Sequence, residues 1–127
     1  MSEPAILTDR SEGLFRQVHP NHINPEDGSV RSSCYMDDEI SHARARFVTE
    51  STAYEQWVAV PGRLSEGTWA VTVGDASDAG CAAYDDSNQD DVPAGHAFIE
   101  NRGGRAEKKR RARLLAAAAT TRGRLHP

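Results

Sequence analysis

Apolar and polar positions alternate most regularly in "GTWAVTVGD", where Trp69, Val71 and Val73 are interleaved with Thr68, Ala70 and Thr72 between Gly67 and Gly74. That period of two predicts a strand over 67–73, and apolar content on both faces predicts a central place in a sheet. "GLFRQV" puts Leu14, Arg16 and Val18 on one face and Phe15 and Gln17 on the other, a strand over 13–19 that Pro20 ends. After the turn formers of "NPEDGS", with Asp27-Gly28 at their centre, "VRSSCY" predicts a strand over 30–35. "GHAFIE" predicts another over 95–100, with His96, Phe98 and Glu100 opposite Ala97 and Ile99, and "CAAY" a short one beginning at Cys81. Residues 37–50 fit two periods: Ile40, Ala43 and Phe47 a helix, Ile40, His42, Arg44 and Arg46 a strand. An extended segment running into a loop is the expectation there.

Helical spacing appears three times. Over 51–60, Ser51 stands as cap, Tyr54 and Val58 share a face, Trp57 lies beside them and Pro61-Gly62 stops the run. Asp75 to Ala79 reads as a single turn closed by Gly80. The longest helix is predicted over 105–122, with Gly123 in the stop position. Its Ala112, Leu115, Ala116 and Ala119 recur at i, i+3, i+4 and i+7, and Leu114, Ala117 and Ala118 widen that face. Residues 1–12, with Pro4 and scattered charges, predict a flexible leader. Residues 13–127 predict one domain of the α+β type, a small mixed or antiparallel sheet with a short helix and the C-terminal helix packed on it.

Composition narrows this picture. A chain of 127 residues can bury a core without metals or disulfides, and with 38 % hydrophobic and 6 % aromatic residues that core is built from small aliphatic side chains. No run reaches the roughly 18 apolar residues of a membrane span. "MSEPAILTDR" lacks the basic start and apolar centre of an export signal, so a cytoplasmic location is expected, with Cys34 and Cys81 as free thiols.

Charge changes the picture most. Residues 1–101 carry six Arg, no Lys and eighteen Asp plus Glu, a formal net of −12, whereas residues 102–127 carry nine Lys plus Arg and one Glu, a net of +8. An acidic body thus bears a basic tail, which either folds back on the body or meets an external partner. Lys108, Lys109, Arg110, Arg111 and Arg113 crowd the opening turns of the last helix, where positive charge opposes the helix dipole, and this marks them as candidate partner-binding residues. A nucleic-acid partner would have to bind along the tail alone, since the body repels phosphates. A membrane surface is excluded by alanines where an interfacial helix carries large apolar side chains.

Other chemistry is sparse. "HPNH" sets His19 and His22 three apart, but zinc takes three or four ligands, and Cys34, Cys81 and His96 match no metal spacing. A strand-ending turn is the expectation, with no metal and no cofactor. "RSSCY" offers Ser32, Ser33 and Cys34 to a neighbouring histidine, yet no Gly-x-Ser-x-Gly elbow is present. A strand-borne Arg16 with Ser32 or Ser33 and a later Glu faintly resembles the dinucleotide-clasping set of ADP-ribosyltransferases, and a catalytic reading would gather Arg16, His19, Ser33 and His96. In "DDSNQDD", Asp86, Asn88 and Asp90 alternate as in a calcium loop, but Asp91 and Ala97 stand where that loop needs Gly and Glu.

"LFRQVHP", "DGSVRSSCY", "WAVTVGD", "PAGHAFIE" and "RARLLAAAATTRG", in that order, resemble a group of small uncharacterised bacterial proteins. The group has an Arg-x-Val-His-Pro opening, a Pro-x-x-His-Ala strand and a terminal alanine-rich helix. The resemblance implies that Arg16, His19, Pro20, Ser33 and His96 stand at the group's characteristic positions, and it implies a bacterial origin. The function expected is that of a non-enzymatic accessory protein in the bacterial cytosol that binds a larger protein partner. The alternatives are an enzyme using Arg16, His19, Ser33 and His96, or a nucleic-acid adaptor using the basic helix.

Overall fold

A computed structural model describes residues 3–89 and 92–127. Six strands form one antiparallel sheet: β1 (Ala5–Ile6), β2 (Gly13–Gln17), β3 (Glu39–Arg44), β4 (Thr68–Thr72), β5 (Ala82–Asp85) and β6 (His96–Glu100), in the spatial order β1-β5-β6-β3-β2-β4. Three α-helices pack on it: α1 (Glu50–Val58), α2 (Val73–Asp78) and α3 (Arg105–Arg122). The class is α+β, with the sheet purely antiparallel.

Strand parity sends alternate side chains to two unequal layers. Leu14, Ile40, Trp69, Val71, Ala83, Ala97 and Ile99 meet Ala76 and Ala79 around α2 and Ala112, Leu115, Ala116 and Ala119 of α3, and this is the main core. On the other face a smaller cluster joins Phe15 and Ala70 to Ala53 of α1. Small alanines on α3 let its backbone lie close to the sheet, so the helix is held by burial rather than by its solvent face. Leu115→Ala is expected to cost about 2–5 kcal/mol.

Helix α3 begins and ends where periodicity places it, with Gly123 at φ 82° just past its end. Leu114 and Ala117, expected to widen its apolar face, are exposed instead. Helix α1 is capped by Thr49, whose side chain accepts from the Thr52 N–H, and not by Ser51. Helix α2 starts earlier than expected because Thr72 and Asp75 form a reciprocal capping box, one residue before Val73.

The expected strand over 30–35 is absent. Val30 makes a single bridge to Ile23, and Ser32–Tyr35 wind into a 3-10 helix. Two serines in sequence supply no β-branched packing, and the buried partners of Cys34 and Tyr35 lie in the helical layer rather than along a ladder. Strand β4 is also not central. It is an edge strand, and its apolar faces arise from helices on both sides. The outer edge is partly covered by the chain end: the Thr68 N–H donates to the His126 carbonyl at 2.5 Å and the Leu125 N–H to the Thr68 carbonyl at 2.9 Å. Within the expected leader, Ala5 and Ile6 pair with Asp85 and Tyr84 as the opposite edge strand, and Glu12 is buried.

No helix among the described residues is long and apolar enough to cross a membrane. Cys34 and Cys81 are free, buried thiols, and burial pushes both above the ordinary thiol range, which disfavours the reactive thiolate.

Candidate functional site

The "HPNH" stretch is a 3-10 turn, Pro20–His22, capped by His19. The Asn21 N–H donates to His19 Nδ1 at 3.0 Å and the His22 N–H to the His19 carbonyl at 2.8 Å. His22 Nδ1 lies 2.8 Å from Ser33 Oγ, and the two imidazole rings sit edge to face at 6.2 Å. Burial, with Arg16 and His19 nearby, holds the His22 pKa below its ordinary value and keeps the ring neutral at pH 7. Among the described residues, no group of three or more His, Cys, Asp or Glu side chains is arranged to hold a metal ion. Positions 90 and 91 of the acidic loop lie outside the described residues. Asp85 and Asp86 of that loop are engaged with Arg44 and His96.

Arg16 lies on the α3 side of the sheet, opposite Trp69. Its guanidinium donates from Nη2 to the Cys34 carbonyl at 2.9 Å and from Nη1 to the Ser41 carbonyl at 2.9 Å. It also stands 5.9 Å from the centre of the Tyr35 ring. Arg16 therefore fastens the 3-10 helix to β3 through backbone carbonyls, with the Cys34 sulfur and the Asp37 carboxylate also beside its guanidinium. Ser33 and His19 lie near it through this helix and the "HPNH" turn. His96 does not join them. It pairs in register with Ala43, which packs with Phe15 on the α1 side, and its Nδ1 is 2.6 Å from Asp86 Oδ1. The sheet thus separates the four residues of the catalytic reading, three on one face and one on the other.

Further along the Arg16 face lie groups that periodicity alone did not single out. His42 is 3 % exposed and stacks on Tyr35, its Nδ1–H donating to the Ile40 carbonyl at 2.8 Å. Burial, with Arg16 adding to it, lowers its pKa to about 3, so the ring is neutral. Beyond it Arg44 bonds both oxygens of Glu12, Nη2 to Oε1 at 2.8 Å, and donates from Nη1 to Asp85 at 2.6 Å. Side-chain exposures of 11 %, 4 % and 14 % for Arg44, Glu12 and Asp85 make this a buried ion triad. Burial pushes Asp85 up, but hydrogen bonds from Ser87 and Arg44 outweigh it and hold the carboxyl below the usual range. Glu12 precedes β2, Arg44 ends β3 and Asp85 ends β5, so the triad clamps three strands at one corner.

The basic tail divides into two sets. One folds back on the acidic body: Lys108 meets Asp38 at 2.5 Å, Arg102 meets Glu39 at 2.6 Å, and Arg122 meets Asp75 at 2.7 Å. Arg111 donates to the Arg102 carbonyl at 2.6 Å and Arg110 pairs with Glu107 at 3.1 Å. The other set, Arg105, Lys109 and Arg113, has no ion-pair or hydrogen-bond partner among the described residues, and all three side chains are exposed. At i, i+4 and i+8 they form one ridge, which continues through Ala117 to Thr121. Lys109 and Arg113 were marked by the sequence as candidates. Arg105 was not, although its i+4 spacing to Lys109 was readable there.

Arg113, Ala117 and Thr121 also form part of one wall of an open groove of about 430 Å³ between α3 and residues 29–32. Val30 is tied across it, its N–H donating to Thr120 Oγ1 at 3.0 Å. A second cavity of about 300 Å³ lies by Trp69, Glu66 and Arg124. Neither is lined by Arg16, His19, Ser33 or His96. In comparisons with known proteins, no family model, no curated protein and no solved structure matches this chain.

Proposed function

We propose that this chain is a non-enzymatic accessory protein that binds a larger protein partner, docking an acidic segment of that partner on the outer ridge of α3. The observation that carries the reading is the ridge Arg105, Lys109 and Arg113, whose charges stay unneutralised although an acidic body with a formal net of −12 lies close by. The six other cations of the same tail find carboxylates or carbonyls in that body or the tail itself. Placing Arg105 in the first turn of α3 opposes the helix dipole, so it is not there for the helix. A duplex or single-stranded nucleic acid is disfavoured because its phosphates would extend past a three-residue ridge onto the acidic body. The enzymatic alternative is weaker, since a site of Arg16, His19, Ser33 and His96 needs side chains that share one concave surface. A cytosolic setting accords with two free thiols.

Affinity capture from native-host lysate tests this, with the wild type beside an Arg105→Glu, Lys109→Glu, Arg113→Glu variant and nuclease present throughout. A protein retained by the wild type and lost with the variant is the expected result. Identical capture by both proteins, or recovery that disappears with nuclease, overturns the reading.

A further inference from the structure

The docking ridge and the groove share residues, and this constrains the shape of what binds. The i, i+4 ridge runs Arg105, Lys109, Arg113, Ala117, Thr121; its first three positions are cations and its last three line the groove. Four residues of helix rise about 6 Å, so neighbouring cations repeat every ~6 Å along the axis. In an extended chain, alternate residues point the same way and repeat every ~6.6 Å. A strand with carboxylates at positions 1, 3 and 5 therefore matches three cations in register. Resting on the docking reading above, we propose that the acidic partner segment binds α3 in extended form, with carboxylates at alternate positions and its following residues seated in the groove beside Val30 and Ala117.

The groove supplies what an extended backbone needs. A strand outside a sheet carries N–H and C=O groups that need partners wherever the groove covers them, whereas a helix has satisfied its own. The Ser32 hydroxyl has no hydrogen-bond partner among the described residues and offers both a donor and acceptors. Thr120 Oγ1 accepts from Val30 and keeps its own hydrogen to give, and Thr121 Oγ1 donates to the Ala117 carbonyl and keeps its lone pairs. A helical acidic partner would leave these groups without a role. Small lining residues, Val30 and Ala117, admit a backbone closely and leave space for small side chains only. The groove's one cation is Arg113, the last of the ridge, which fixes the direction of approach: carboxylates over the start of α3, the uncharged end over its later turns.

Two labelled hexapeptides of equal composition test the proposal by fluorescence anisotropy on the full chain: Glu-Ser-Glu-Val-Glu-Val, and an isomer with three consecutive Glu. The alternating peptide is expected to bind at least tenfold more tightly. Ala117→Met, which fills the groove while keeping helix propensity, is expected to weaken the alternating peptide threefold or more and to leave the isomer unchanged. Equal binding of the two peptides, no effect of Ala117→Met on the alternating one, or no binding of either overturns the extended-segment proposal. If both peptides bind equally and both are lost with the triple charge reversal, docking on the ridge stands and only the extended form falls. A triple reversal that leaves peptide binding intact overturns both.

Discussion

Two groups of arginines in this molecule have opposite circumstances. Arg44 is enclosed, with three hydrogen bonds to Glu12 and Asp85 and its guanidinium carbon 5.0 Å from the centre of the Phe47 ring. Arg105 and Arg113 stand on the outside of α3 with no partner among the described residues. A buried ion is tolerated only when its partners offset the loss of water, so Arg44 must serve the fold. An exposed ion is solvated at little cost and is free to serve something else. The number of basic residues therefore says little here; the cations that the body leaves unneutralised are the ones available to a partner.

The greatest loss of stability is expected at the buried end. Arg44→Met leaves the Glu12 and Asp85 carboxylates close together without a cation, and is expected to cost about 3–5 kcal/mol in urea unfolding. A loss below about 1 kcal/mol would mean the corner is wet and the clamp is not what holds β2, β3 and β5. The same corner and its neighbour His42 shape the pH profile. His42 has a folded pKa of about 3 against an ordinary value of 6.5, so between those limits the unfolded chain takes a proton that the native ring refuses. Stability is thus expected to fall as pH is lowered through that window, and further once Asp85, whose carboxyl is held low, is forced to protonate. Replacing His42 with Leu should flatten the upper part of the fall in a pH series of melting curves. An unchanged profile would show that the ring titrates normally.

An intermediate case lies at the other end of α3, where Asp75 accepts from Arg122 and closes the Thr72 capping box. Asp75→Ala is expected to cost about 1 kcal/mol, most of it from the lost capping-box bond to the Thr72 N–H rather than from the half-exposed pair. The smallest effect, and one of opposite sign, belongs to the free set. Arg105→Glu removes a cation from the first turn of α3 and adds an anion there, and should raise stability by about 0.3–1 kcal/mol at low ionic strength. A destabilisation measured in the same unfolding assay would show that Arg105 has a structural partner after all.

Sequence periodicity reached some of this and not the rest, for reasons that differ by element. Helix α3 was readable to its last residue because a run of Ala and Leu at helical spacing is followed by a glycine that takes positive φ. Strands β2, β4 and β6 were readable because each has one face richer in apolar groups. Residues 30–35 misled because Val30 and Tyr35 are apolar, while the intervening serines turn the chain into a 3-10 helix. The edge position of β4 was hidden, since apolar content reports burial by helices as much as by neighbouring strands. His96 could not be assigned to a face from sequence. Its side is set by the chain of registers from Phe15 to Ala43 to His96, pairings that span some eighty residues. The free ridge was legible in principle from the i+4 spacing of Arg105, Lys109 and Arg113, but which basic residues the acidic body neutralises is a fact of tertiary structure.

The most direct measurement pairs equilibrium unfolding with nuclease-treated partner capture on one protein, the Arg105→Glu, Lys109→Glu, Arg113→Glu variant. If the free cations serve a partner and not the fold, the variant is as stable as the wild type or slightly more so, and the captured protein is lost. Retention of that protein by a fully folded variant would contradict the account.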